Sequence, residues 1–337
     1  MRISLFLKAM LIVAVVSLRA HSAQGANGQH FCSDTATQLK TAGKSEVADE
    51  LAKASAVCIN ESDAADRSKC FSDADSAEVE GLQLVEDRYQ ARLEVCKRVG
   101  ERRYDPSFDQ KDFVTSKPNP YFPLEVGYKW VYGGGEDVEI EVLKETKIID
   151  GISCRVIRDV VRVNGEVVED TSDWLARDKN GTIWYCGEEV KDYESFDGDQ
   201  PRKPELVAID GSFKVDRDGS KAGTLFLASP KKGVLYREEF SVANAEDVAE
   251  ILTTNYKYGT DKDLDQLVPK ALADRLCSNA DCVVTKAFSA MSPGVIELKY
   301  YAKGIGQFLN VKPDSQEVVR LESCNVDPKC ATLALVK

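Results

Sequence analysis

The chain has 337 residues, 56 acidic against 44 basic, a formal net charge of −12 and ten cysteines. An acidic balance of this size repels phosphate backbones and anionic headgroups, which argues against nucleic acid and membrane-surface partners. Its only histidines are His21 and His30, so neither a Ser-His-Asp or Cys-His mechanism nor a histidine metal centre can be assembled in the body of the protein.

The N-terminus reads as a secretory signal over residues 1–25. Arg2 and Lys8 form a positive lead, Ala9 to Leu18 is apolar, and the small residues Ala20, Ser22, Ala23 and Ala26 follow. The apolar run is too short to span a bilayer, so cleavage between Ala23 and Ala26 is expected, with export to the periplasm or the cell exterior. Loss of Arg2, Lys8 and Arg19 would take the net charge from −12 to −15. No later apolar run reaches spanning length, so no membrane insertion is expected after cleavage. An even number of cysteines in an exported chain points to a disulfide framework, and without a C-x2-C pair zinc is not expected.

Residues 26–103 read as a helical hairpin. They contain no proline, and Val47, Leu51, Ala54, Cys58 and Val79, Leu82, Val85, Tyr89 recur at helical steps. The polar stretch from Cys58 to Cys70 reads as the turn. Cys32 and Cys58, like Cys70 and Cys96, stand 26 residues apart. A helix of that length spans about 39 Å, far beyond the reach of a bridge. Antiparallel helices therefore predict the nested pairs Cys32–Cys96 and Cys58–Cys70, provided Gly43 does not break the first helix.

Residues 104–124, with Pro106, Pro118, Pro120 and Pro123, read as an extended linker. Over 125–323 the texture is that of strands, as in DVEIEVLKETKI, where apolar and acidic residues alternate. Asp150-Gly151, Asn164-Gly165, Asn180-Gly181 and Asp218-Gly219 are hairpin-turn dipeptides. A helical patch is expected near Ala245 to Leu252 and a helical insertion at about 261–276. Strands resume through CVVTKAF, VIELKYYA, GQFLNV and EVVRL, and residues 324–337 form a tail with a cysteine loop.

The fold class expected is α+β: a disulfide-linked helical hairpin followed by a large antiparallel up-and-down sheet, curled or forming an open barrel. Local bridges Cys277–Cys282 and Cys324–Cys330 leave Cys154 with Cys186. Two-residue turns at Asn164-Gly165 and Asn180-Gly181 place both of these opposite Leu175, on either side of one strand. A flat sheet separates them by almost 10 Å, beyond bridging distance. The bridge is nevertheless expected, which requires the sheet to bend sharply or its ladder to break near Gly187.

NPYFPL (Asn119 to Leu124), Gly127, Trp130-Val131-Tyr132, DWLARDKNGTIWYCGEE and SPGVIELKYYAKGIG together resemble a β-rich domain found in many exported bacterial proteins. The likeness covers about residues 104–312. That family has no established activity, so the resemblance implies an exported β-rich domain and carries over no catalytic residue.

No glycine-rich phosphate loop occurs. Asp261, Asp263 and Asp265 alternate, yet Gln266 and Leu272 stand where a helix–loop–helix calcium site needs glycine and glutamate. No metal and no cofactor are expected. The candidate ligand contacts are Trp130, Tyr132, Trp184, Tyr185, Tyr300 and Tyr301, which a curved sheet could gather in a groove. The alternative is that these rings fill the core between sheet and hairpin. The function expected is that of a secreted or periplasmic non-catalytic binding or scaffold protein, with a protein or small-molecule ligand. The rival is a carboxylate-dependent hydrolase acting on glycans, which needs two carboxyls facing each other across a cleft.

Overall fold

The computed structural model describes residues 30–335; residues 1–25, read from the sequence as a signal, lie outside the described residues. Helix α1 (Phe31–Ile59) and helix α2 (Ala64–Val99) form the antiparallel hairpin. Asp63 accepts hydrogen bonds from the backbone amides of Ala65 and Asp66 and starts α2 only four residues after α1 ends. The turn is therefore much shorter than the Cys58-to-Cys70 stretch. Bridges Cys32–Cys96 and Cys58–Cys70 close the two ends, each with Cα atoms 5.5 Å apart.

Gly43 does not break α1. It lets the helices approach closely, since a Cβ there would lie 2.9 Å from a methyl of Val85. Val47 and Val85 are buried between the helices, whereas Val79 and Leu82 are exposed. The apolar face of α2 is thus offset from the expected one. It runs through Ala74, Val85, Arg92 and Val95.

Residues 104–124 are extended around a single 3-10 turn (Gln110–Asp112) and lie as a strap along the sheet. The Tyr104 hydroxyl donates to the carbonyl of Ala222 (2.9 Å) and that of Tyr121 to Asp281 (2.8 Å). Asn119 is buried and donates to the carbonyls of Gly181 and Leu227.

Among the described residues fifteen strands make one sheet: β1 (Lys129–Gly134), β2 (Asp137–Ile149), β3 (Ile152–Val163), β4 (Glu166–Arg177), β5 (Ile183–Glu189), β6 (Asp192–Glu194), β7 (Glu205–Ala208), β8 (Phe213–Lys214), β9 (Gly223–Phe226), β10 (Leu235–Arg237), β11 (Asp247–Tyr256), β12 (Cys282–Ser289), β13 (Ile296–Ala302), β14 (Gly306–Lys312) and β15 (Glu317–Cys324). The main path runs β10-β11-β12-β13-β14-β15-β1-β2-β3-β4-β5-β8, so the two meanders join where β15 pairs antiparallel with β1. The sheet is curled but not closed. Its ends meet without a ladder: the Lys221 amide donates to the Phe240 carbonyl (2.9 Å), and a Cβ on Gly223 would lie 1.7 Å from the carbonyl oxygen of Glu238.

Asp150-Gly151 and Asn164-Gly165 have positive φ at both positions, as two-residue hairpin turns require. Asn180-Gly181 does not form such a turn. Asp178 accepts from the amides of Asn180, Gly181 and Thr182, and the chain crosses from β4 to β5 in five residues. The Ala245-to-Leu252 stretch is strand, not helix. Val248, Ala249 and Ile251 are all fully buried in β11, so pairing with β10 and β12 overrides a composition that suits either state. Helix in the insertion is confined to α3 (Lys270–Leu276).

The Cys154–Cys186 bridge forms across β4 with Cα atoms 6.6 Å apart. Leu175 pairs with Arg155 on one side and Tyr185 on the other, while Trp174 pairs with Gly187, so Cys186 is looped out of the ladder. The break falls at Gly187, where φ is +134° and a Cβ would lie 2.3 Å from the Phe213 carbonyl. Bridges Cys277–Cys282 and Cys324–Cys330 are local. Five disulfides mark a protein of an oxidising compartment. Among the described residues no helix is long and apolar enough to cross a membrane.

Candidate functional site

Alternation along a strand sends every second side chain inward, and the curl makes the inner face concave. Trp130 and Tyr132 on β1, Asp173 and Leu175 on β4, Tyr185 on β5, and Lys299 and Tyr301 on β13 surround a chamber of about 200 Å³. Phe122, Pro123 and Leu124 of the strap form part of its wall. The Trp130 indole donates to the Ile305 carbonyl (2.8 Å) and the Tyr132 hydroxyl to that of Gln307 (2.9 Å). Their donors are thus spent on the framework, and what they offer the chamber is ring surface. Tyr301 packs on Phe226 at 4.6 Å.

Two of the six expected aromatics lie elsewhere. Trp184 points to the opposite face, packs beside Phe108 and Phe113 of the strap, and donates to Asp178. It belongs to the outer cluster around Cys154–Cys186, not to a concave face. Tyr300 is fully buried against Tyr256 and Phe308 and donates to the Leu264 carbonyl (2.6 Å), beneath the 261–282 insertion. Adjacent residues on one strand face opposite ways, so Trp184 and Tyr185, or Tyr300 and Tyr301, could never have shared one groove.

The polar groups of the interior escaped the sequence reading. Asp159 occupies an inward position on β3 between Ile157 and Val161, and its Oδ1 is shut off from solvent without a hydrogen-bond partner. Burial pushes its carboxyl well above the ordinary range, and the nearby charge of Asp173 adds to the effect. Asn310 Oδ1 and the Tyr236 hydroxyl are likewise buried and unpartnered. Burial raises Asp173 to about 6 and Glu188 to about 9. Lys299 lies 3.7 Å from Glu297 and 3.8 Å from Glu238. Burial works against its charge, but the two carboxylates prevail and raise its pKa. An acidic residue at an inward strand position, as in RVIRDVV, is the signal that could have found Asp159.

A second chamber of about 420 Å³ lies further along the interior. Glu169, Glu188, Asp192, Glu239, Asp247 and Glu297 line it, with no Lys, Arg or His. Tyr185 stands at the boundary: its hydroxyl is hydrogen-bonded to Asp173, which lines the first chamber, and lies 3.1 Å from Glu188 Oε2, which lines the second. One phenolic proton can serve only one of these carboxyls. The other contact needs a proton on the carboxyl itself, and Glu188, with its pKa near 9, holds one at neutral pH.

The Tyr185 hydroxyl lies between Asp173 and Glu188, so these two carboxyls meet through a phenol rather than across an open cleft. Among the described residues no group of His, Cys, Asp or Glu could hold a metal ion. Asp261 and Asp265 are used locally: Asp261 accepts from the amide of Asp263, and Asp265 from Tyr256 and the amide of Gly259. No family model, curated protein sequence or solved structure matches this chain.

Proposed function

We propose that the chain is a non-catalytic binding protein of the periplasm or cell exterior, whose curled sheet takes a small amphipathic ligand. The observation that carries this reading is the convergence of Trp130, Tyr132, Tyr185 and Tyr301 on a small chamber that Asp159 also lines, its Oδ1 without a hydrogen-bond partner. Small-molecule sites are concave, mostly apolar and furnished with few polar groups. The apolar body of the ligand lies against Leu124, Trp130 and Leu225, and a hydroxyl or ammonium donor satisfies Asp159. A buried acceptor left unpaired costs about 1–3 kcal/mol, which such a donor would recover. The shared Tyr185 hydroxyl speaks against the glycan hydrolase.

The test is mass spectrometry of small molecules released on denaturing protein purified from its native source, with L225W as the filled-chamber control. A compound present in the wild type and absent from a folded L225W supports the reading. Equal recovery from both, or nothing specific from either, overturns it.

A further inference from the structure

Where the hairpin meets the sheet, a separate cavity of about 350 Å³ opens between α1, α2, the start of the strap and β10. It shares no lining residue with the interior chamber. Its walls carry five cationic side chains, Arg92, Arg102, Arg103, Lys221 and Arg237, against one carboxylate, Glu246. In a chain of net charge −12 such a concentration of positive charge is out of character.

Two of the five are neutralised. Arg92 makes a bidentate pair with Glu246 (2.8 and 3.0 Å), whose Oε1 also accepts from the Ala243 amide, and Lys221 lies 3.1 Å from Asp105. Arg237 has no such partner. It is largely buried, with its guanidinium 5.6 Å from the Tyr104 ring and 5.1 Å from that of Phe240. The hydrogen bond it makes goes to a weak acceptor, Cys32 Sγ, at 3.6 Å. Burial lowers its pKa, and the nearby charge of Glu246, already paired with Arg92, offsets this only in part. Arg103 lies over the Phe31 ring at 4.9 Å and Arg102 is exposed at the rim; neither makes an ion pair among the described residues. Phe31, Val95, Tyr104, Phe240 and Val242 supply apolar wall. The positive end of the α1 dipole, at Phe31 and Cys32, adds to the field.

A guanidinium presents five donors in a planar fork, and since one of Arg237's goes only to a weak sulfur acceptor, the fork at the cavity wall is left for a ligand. We infer that this cavity is an anion site, centred on Arg237, for a small amphipathic carboxylate or phosphate with an apolar or aromatic body. The anionic head takes the fork of Arg237, with Arg103 and Arg102 closing from the rim, and the body lies among Phe31, Phe240 and Val242. The site spans the junction of hairpin and sheet, so an occupied site ties the two together.

The test is calorimetric titration with phenyl phosphate, using phenol and inorganic phosphate as half-ligands. Saturable binding of phenyl phosphate is expected, tighter than either half alone. R237Q should weaken it at least tenfold, the loss of a charge-assisted bidentate contact. R103Q, at the exposed rim, should weaken it roughly threefold. L225W, which fills the interior chamber, should leave it unchanged. Absence of saturable binding, wild-type affinity in R237Q, or loss in L225W instead would overturn the assignment. If R237Q does not fold, R103Q decides: an unaltered affinity there also overturns it.

Discussion

Asp173 and Glu188 reach one another through a single hydroxyl, that of Tyr185, although they line different chambers of the same interior. Two carboxyls and one phenol can satisfy each other only while a proton remains on one carboxyl, so the trio is a protonation-dependent brace across the concave face.

Removal of the hydroxyl tests that brace. Y185F should cost about 1–3 kcal/mol in urea unfolding, because two buried carboxyls lose their partner. E188Q should cost less than D173N at pH 7, since Gln replaces a carboxyl that is already uncharged there. Equal losses in E188Q and D173N would mean that Glu188 carries no proton.

Stability should fall as pH rises from about 5 to 9. Glu188, Glu238 and Asp173 have folded-state pKa values of about 9, 7 and 6, all raised by burial above their ordinary values. A carboxyl raised on folding holds its proton more tightly in the native state. Its contribution is therefore complete below the unfolded pKa and is lost as pH climbs through the folded one. Melting curves across this range should show the fall, and E188Q should flatten its upper part. A melting temperature that rises toward pH 9 would contradict the assignment.

The hairpin offers a steric test. A side chain on Gly43 meets the methyls of Val85, and one on Gly81 meets those of Val47. G43L should destabilise by about 1–3 kcal/mol through overpacking, despite leucine's better helix propensity. Adding V85A should recover part of the loss, giving a coupling in the double-mutant cycle that two independent sites would not show.

What the sequence determined by itself was whatever rests on local physics. Equal cysteine spacing together with helix rise leaves only the nested pairing, and Asp-Gly or Asn-Gly with positive φ makes the hairpin turns at 150 and 164. Trp130, Tyr132, Trp184, Tyr185, Tyr300 and Tyr301 stand out in the sequence as ring surface that a curved sheet can gather. Strand alternation separates Trp184 from Tyr185 and Tyr300 from Tyr301, but it does not say which member of each pair faces the concave side. Only the tertiary structure decided that. Pairing of the neighbouring strands β3, β4 and β5 sets Asp173 opposite Glu188 and two residues along from the Asp159–Thr171 pair, and the curl turns that face inward. The same holds for β11, whose residues become strand through pairing on both edges, and for Arg237. Its setting is built from segments more than 100 residues apart in the chain, a distance over which no local pattern carries information.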